Sequence, residues 1–254
     1  MPVSPTPRGL LFGTAAESYE RFRLGYPDEV VDRTLAYAGK PVRDAVEVGA
    51  GTGKATRAFV TRGVRVVALE PDPEMRAVLD RETAGMAVST VLSTFEAYDG
   101  PPTPLLYAAA AWHWTDPETR WSHAADLLED GGVLAVFGGP MRLADQAMHD
   151  AVVAVCPALE DASFQPEDDS AATGRHWPAQ EMEDSGFFTD VEEHHLPREV
   201  VVPKREYIGY LSTLSAYLRL EPLERVDVLR RIEEVSPAQV GLDLTVAMHL
   251  GRRG

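Results

Sequence analysis

The sequence predicts an α/β fold built on a parallel sheet covered on both faces. Strand-like and helix-like segments alternate between residues 44 and 137. The strand-like segments are near-continuous apolar runs, the pattern of strands buried on both faces. A glycine cluster, Gly49-Ala-Gly51-Thr-Gly53, breaks the first strand and opens a helix. Such a turn brings backbone N–H groups with little side-chain bulk against a ligand.

Pro2, Pro5, Pro7 and Gly9 predict a flexible lead-in. Thr14 is a cap for a helix reaching Arg23, with Ala15, Tyr19 and Phe22 at helical spacing. Gly25-Tyr-Pro27 breaks it, and a second helix over 28–38 stops at Gly39. The strands follow at 44–48, 64–70, 88–92, 105–111 and 133–137. Helices are expected at 54–62, 74–81 and, capped by Asp116-Pro117, up to Leu128. Beyond Gly139 the rhythm loosens. Residues 141–160 read as helix, 161–177 as an acidic loop, 178–184 as a short helix closed by Gly186, and 190–202 as one long strand. Two helical segments at 204–220 and 222–235 precede a strand at 241–250. The whole is expected to be a single domain over 1–254, with cover segments at 1–40, 141–177 and 203–238.

With 24 Lys and Arg against 40 Asp and Glu, the formal charge is −16, which disfavours a nucleic-acid partner. The single cysteine, Cys156, rules out an intrachain disulfide and lies in an apolar run as a core residue does. No stretch is apolar for long enough to span a bilayer, so no membrane partner is expected. The start, Met1-Pro-Val-Ser-Pro-Thr-Pro, lacks the apolar core of a signal peptide, and a cytoplasmic protein is expected. The arginine-dominated basic set fits a GC-rich bacterial genome. No His, Asp and Glu spacing suggests a metal, and His194-His195 on a strand would point to opposite faces.

The chemistry concentrates in the first half. The glycines follow a G-x-G-x-G spacing, unlike the G-x-G-x-x-G of dinucleotide folds, which disfavours a nicotinamide-dependent oxidoreductase. Glu47 precedes the first glycine by two residues, and Glu70 closes the second strand where an acid can accept both ribose O–H bonds. Together they indicate a nucleoside-bearing ligand.

Val46-Glu-Val-Gly-Ala-Gly-Thr-Gly53 resembles motif I of the class I S-adenosylmethionine-dependent methyltransferases. Leu69-Glu-Pro-Asp-Pro-Glu-Met75 resembles their second motif and Thr94-Phe-Glu-Ala97 their third. Ala111-Trp-His-Trp-Thr-Asp-Pro117 and Leu127-Leu-Glu-Asp-Gly-Gly132 are similar to the fourth and fifth. Tyr19, Arg23-Leu-Gly-Tyr-Pro27, Trp112-His-Trp114 and Tyr210-Leu-Ser-Thr-Leu-Ser215 resemble the small-molecule branch around trans-aconitate methyltransferase-like enzymes. The resemblance implies a Rossmann-like, seven-stranded, mostly parallel sheet with helices on both faces and helical cover segments. It implies S-adenosyl-L-methionine as cofactor and a small-molecule acceptor, methylated on O, N or C. A bacterial specialised metabolite fits, and the protein would be a monomer or homodimer.

Residue by residue, Gly49, Ala50, Gly51, Thr52 and Gly53 would approach the methionine part of the cofactor, with Glu47 near its ammonium. Glu70, followed by Pro71, would bind the ribose. Met75 would pack on the adenine, and Thr94, Phe95 and Glu96 would border it. Ala111 and Trp112 would lie where the sulfonium meets the acceptor. Tyr19 belongs to a helix that in this family closes over the cofactor. His113, of near-neutral pKa, is the candidate general base. Arg175, His176, Trp177 and Tyr217 are candidate acceptor-pocket residues. Pro104-Leu-Leu-Tyr107 departs from the family by lacking an acid at the start of strand four, and no Asn/Asp-Pro-Pro-aromatic motif follows, against adenine or glutamine amide methylation. The alternative is a protein of this fold that binds the cofactor and performs another role, cyclisation or binding and regulation.

Overall fold

The computed structural model describes residues 12–155 and 177–254. The described residues fall into two compact units. One holds 25–138, 177–196 and 247–254; the other holds 12–24, 139–155 and 197–246. Of the expected cover segments, helix α2 (Asp28–Ala38) falls in the first unit, with the large sheet.

The first unit is organised by a seven-stranded sheet in the order β3-β2-β1-β4-β5-β10-β7. These strands are β1 (Asp44–Val48), β2 (Arg65–Leu69), β3 (Val88–Val91), β4 (Thr103–Ala109), β5 (Leu128–Gly138), β7 (Phe188–Leu196) and β10 (Val246–Arg253). From β3 to β5 neighbours pair in parallel, and β10 pairs antiparallel to β5. Ala45, Val46 and Val48 of β1 are buried, as the apolar run predicts for a central strand. The chain runs outward from β1 to β2 and β3, then returns to place β4 on the other side of β1. In open α/β sheets ligands bind beside such a reversal, outside the carboxyl ends of the flanking strands, here β1 and β4.

Helices α3 (Lys54–Val60), α4 (Pro73–Glu82) and α5 (Arg120–Asp126) connect the strands. Helix α4 starts where it does because the Asp72 carboxylate accepts from the Glu74 and Met75 N–H groups, at 2.8 and 3.1 Å, with Pro73 at the first helical position. Phe59 of α3 stacks on Tyr107 of β4 with ring centroids 4.1 Å apart, both fully buried. A second apolar cluster joins Val46, Leu106, Phe95, Trp112, Trp121 and Phe188.

The second unit has its own three-stranded antiparallel sheet, ordered β6-β9-β8: β6 (Arg142–Leu143), β9 (Gln239–Asp243) and β8 (Glu199–Pro203). Helices α6 (Gln146–Val155), α8 (Lys204–Leu211), α9 (Ser215–Leu218) and α10 (Pro222–Val235) supply a core of Met148, Tyr207, Leu211, Tyr217, Val228, Ile232, Val240 and Leu242. Helix α1 (Ala16–Phe22) is latched to this unit by Arg23. Its guanidinium donates to Thr213 Oγ1 at 2.8 Å, Tyr210 Oη at 2.9 Å and the Thr213 carbonyl at 3.2 Å, and stacks on the Tyr210 ring. Hydrogen bonds from a charged donor contribute about 1.5–3 kcal/mol each when intact. Arg23→Met is therefore expected to speed amide exchange across α1 at least tenfold, read by hydrogen–deuterium exchange, with the 222–235 helix unchanged.

Several boundaries depart from the sequence reading. The helix after Asp116-Pro117 begins only at Arg120 and ends at Asp126; Leu128 already belongs to β5, which bulges opposite Thr103–Leu105. The long strand expected over 190–202 is two strands in two sheets, separated at Pro197-Arg198. Proline removes a ladder donor there. The strand expected over 241–250 is likewise two, because Asp243 accepts from both the N–H (2.8 Å) and Oγ1 (2.6 Å) of Thr245 and closes an Asx-type turn. Residues 141–145 carry β6 rather than helix. Helix α7 (Ala179–Asp184) and the stop at Gly186 agree with the reading. The readings placed on residues 1–11 and 156–176, including Cys156, Arg175 and His176, lie outside the described residues.

Among the described residues no helix is long and apolar enough to cross a membrane, and no group of His, Cys, Asp and Glu is placed to hold a metal ion.

Candidate functional site

The turn after β1 puts Gly49, Gly51 and Gly53 at φ of 64°, 59° and 87°, the left-handed region that glycine alone enters freely. Their surroundings differ. A Cβ on Gly49 would lie 2.6 Å from the Ala111 Cβ, and one on Gly53 would lie 2.6 Å from Leu79 Cδ1. Both glycines admit close packing within the protein. A Cβ on Gly51 would meet only Met75 Cε, at 3.6 Å. Gly51 is thus the glycine of the turn that packing leaves open, with Met75 beside it.

Glu70, at the end of β2, spans two loops. Its Oε2 accepts from the Gly51 N–H at 2.7 Å, and its Oε1 accepts from the Asp72 N–H at 2.9 Å. Each carboxylate oxygen keeps one lone pair for a further donor, so the group can hold the turn and still receive ribose hydroxyls. Burial pushes its pKa up to about 7, against the opposing pull of the two N–H groups.

Glu47 lies beneath the turn and is 1 % exposed. Its Oε2 accepts from Thr56 Oγ1 of α3 at 2.5 Å and from Tyr107 Oη of β4 at 2.9 Å. Its Oε1 is buried without a partner. Burial lifts its pKa to about 8, more than the two hydroxyl donors lower it. Glu47, expected near the cofactor's ammonium, is enclosed by β1, α3 and β4, so toward a ligand on the turn it would act through its field and through the elements it ties together. Thr56 and Tyr107 were missed because nothing local marks them. A tyrosine inside the apolar run Leu105–Ala109 was the available signal, since a buried phenol seeks a partner.

The other predicted residues divide. Ala50 and Thr52 are buried in the turn, and Pro71 and Met75 follow Glu70 at the start of α4. Ala111 is in contact range of Gly49, so the end of β4 does meet the turn. Thr94 and Glu96 are exposed, and Glu96 accepts from the Asp116 N–H at 2.9 Å. The Phe95 and Trp112 rings, expected to border the cofactor, pack on one another at 5.5 Å inside the core, Trp112 also against Trp121. Tyr19 belongs to the other compact unit, where Arg23 lies over its ring at 5.1 Å.

His113 follows Trp112 on a short 3₁₀ turn, Trp112–Trp114. Burial, with the nearby Arg120 charge, lowers its pKa to about 4. The expected near-neutral base is corrected: the ring is neutral at pH 7 and only weakly basic. Arg120, itself 6 % exposed, donates to the Trp112 carbonyl at 3.4 Å and lies 3.8 Å from Glu181. Its role was invisible in sequence, where it reads as an ordinary surface charge.

Between strand and site, Ala110 has φ of 53°, a strained value for a residue with a Cβ. Its N–H donates to the Phe137 carbonyl at 2.8 Å, and a Cβ on Gly138 would approach it to 3.2 Å. Ala110→Gly should leave stability equal or raised by up to about 1 kcal/mol, while Ala110→Val should lower it by about 1–2 kcal/mol, both measured by urea unfolding.

Against this geometry, residues 46–136 match the family described as a methyltransferase domain. The match spans the first five strands of the large sheet and the glycine turn, and it is to a methyltransferase domain. An uncharacterized methyltransferase of Mycobacterium tuberculosis is 40 % identical over 138 residues, 54 % of this chain and 55 % of the relative. A proposed methyltransferase of Dictyostelium discoideum is 24 % identical over 241 residues, 91 % of this chain and 86 % of the relative. The chain spans about half the length of the first of these relatives. Among solved structures, a proposed type II methyltransferase from Anaeromyxobacter dehalogenans shares the fold at a TM-score of 0.62, 23 % identity, covering 91 % of this chain and 98 % of that one. Haemonchus contortus phosphoethanolamine N-methyltransferase 2, solved with S-adenosyl-L-methionine, shares it at 0.55 and 13 % identity, covering 95 % and 57 %. The matched methyltransferase domain begins at Val46 and contains the glycine turn, Glu70, Met75 and His113.

Proposed function

We propose that the chain binds S-adenosyl-L-methionine and transfers its methyl group to an O, N or C atom of a small organic acceptor, such as a bacterial specialised metabolite. The observation that carries this is Gly51: open where its neighbours are packed, and tied by its N–H to the acid at the end of β2. The cofactor supplies a methyl group on a sulfonium, ready for in-line displacement. The Gly49–Gly53 turn would carry the methionine part, Glu70 the ribose, and Met75 the apolar wall beside Gly51. Ala111, lying against Gly49, would bound the side from which the acceptor approaches.

With its ring neutral and weakly basic, His113 is a poor proton acceptor for a hydroxyl of ordinary pKa. The reading therefore favours an acceptor that needs no base, a neutral amine or a group that arrives ionised, with rate gained from positioning. The pH–rate profile is expected to show no ionisation of His113 between pH 6 and 8, and His113→Asn should leave the shape of the profile unchanged. The same weak basicity supports a second reading, in which the domain holds the cofactor for another role. Incubation with S-adenosylmethionine and a small-molecule library, followed by mass spectrometry, separates the two. A product heavier by one CH₂ supports transfer; tight S-adenosylhomocysteine binding with no product across amines, acids and phenols supports the second reading. Absence of binding refutes both.

A further inference from the structure

Beneath the glycine turn, three buried polar side chains from three elements form a cluster. Glu47 of β1, Thr56 of α3 and Tyr107 of β4 are each 1 % exposed or less. The cluster is asymmetric: two hydroxyls donate to Glu47 Oε2, and Oε1 has nothing. Among the described residues no cation is paired with this carboxyl. The charged groups acting on it are Glu70, at the end of β2, which disfavours its ionisation, and Arg57 of α3, which favours it. The Arg57 guanidinium is directed elsewhere, donating to the Thr52 carbonyl at 3.2 Å and lying 3.9 Å from Glu82. A carboxylate enclosed without a counter-charge is costly, and such a group neutralises by keeping its proton. Yet the cluster is also built to receive the ionised form, since both hydroxyls donate to one oxygen.

We propose that Glu47 is a proton-linked anchor for the positive charge of a ligand on the glycine turn, keeping its proton while no cation lies above it and releasing it to solvent when one is seated there. Tyr107 is the positioning residue of this device, because its O–H stabilises the ionised carboxylate from β4. The proposal rests on the assignment of the turn to S-adenosylmethionine, whose sulfonium and ammonium would be the charges sensed. Glu47 then contributes to affinity without touching the ligand. Linkage requires that cofactor affinity rise with pH, by at most tenfold per pH unit, and level off near the pKa of unliganded Glu47.

The test is calorimetry of S-adenosylmethionine binding at pH 6.5 in buffers of different ionisation enthalpy. At that pH an ordinary α-amino group is already protonated, so the ligand contributes little. Wild type is expected to release on the order of half a proton or more per site. Glu47→Gln should bind with most of that release gone, and 5′-methylthioadenosine, which lacks both charges, should bind wild type with none. Tyr107→Phe keeps the packed ring and folds independently of the Glu47 substitution. Its affinity should level off at a pH about one unit higher than wild type, whereas a merely structural contact would lower affinity equally at every pH. Binding without net proton exchange overturns the proposal. So does release undiminished in Glu47→Gln, which would place the proton on Glu70, or an unmoved levelling point in Tyr107→Phe. Failure of wild type to bind S-adenosylmethionine at any pH would instead refute the assignment of the turn.

Discussion

Gly51→Leu is expected to weaken S-adenosylhomocysteine binding at least about 100-fold, roughly 3 kcal/mol, while the protein stays folded. The backbone cost is that of a left-handed leucine, about 1–2 kcal/mol. The side chain itself has space, since a Cβ at this position meets only Met75 Cε at 3.6 Å. It would occupy the place where the ligand is proposed to lie. Its neighbours in the turn should behave in the opposite way. Gly49→Val and Gly53→Val would drive side chains into Ala111 and Leu79, whose atoms lie 2.6 Å from the first added carbon. Overpacking of that kind, added to the same backbone strain, costs several kcal/mol of stability and should be visible as lost soluble protein or a melting temperature lowered by 10 °C or more, on the order expected for such a loss. Urea unfolding and calorimetry on the three variants distinguish a ligand-facing glycine from two packing glycines.

The second large effect is on stability against pH. Glu47 and Glu70 both ionise well above the ordinary carboxylate value of 4.5, at about 8 and about 7, chiefly because they are buried. A carboxyl whose folded-state pKa is raised favours the folded state most at low pH. Its contribution is complete below the unfolded value, near 4.5, and is lost as pH rises through 7 and then 8. The unliganded protein should therefore lose stability between pH 6 and pH 9, by on the order of 3 kcal/mol. Glu47→Gln removes the larger part of that slope and should be more stable than wild type at pH 9, read from urea midpoints at fixed salt. A wild-type midpoint that stays level or rises across this range would contradict the burial of both acids without counter-charge.

The frame of the site was legible because it depends on local chemistry. An apolar run fixes β1 within residues 44–48, Gly39 ends α2, and Asp72-Pro73 starts α4. The glycine spacing and Glu70 mark the carboxyl end of the sheet, where the ligand is proposed to lie, for the same reason: only certain residues suit those backbone angles and that end of a strand. What sequence did not reveal depends on where side chains turn. Glu47 was expected near the ligand's ammonium, and its partners Thr56 and Tyr107, nine and 60 positions away, were not visible in sequence. Phe95 and Trp112 stand next to the site in sequence but turn their rings into the core. His113 was read from its intrinsic basicity, which burial, with the Arg120 charge, lowers. The three-stranded sheet was missed because β8 and β9 were read as parts of longer strands and β6 as helix. Its breaks lie at a single proline and a single Asx turn.

The proposed site holds S-adenosylmethionine between the Gly49–Gly53 turn, the Glu70 loop and the end of β4. Hydrogen–deuterium exchange with and without S-adenosylhomocysteine measures this directly. Slowed exchange is expected in peptides covering 49–53, 70–76 and 110–114, with Gly51→Leu abolishing the effect. Protection confined to other segments, or protection undiminished in Gly51→Leu, would contradict binding at the turn.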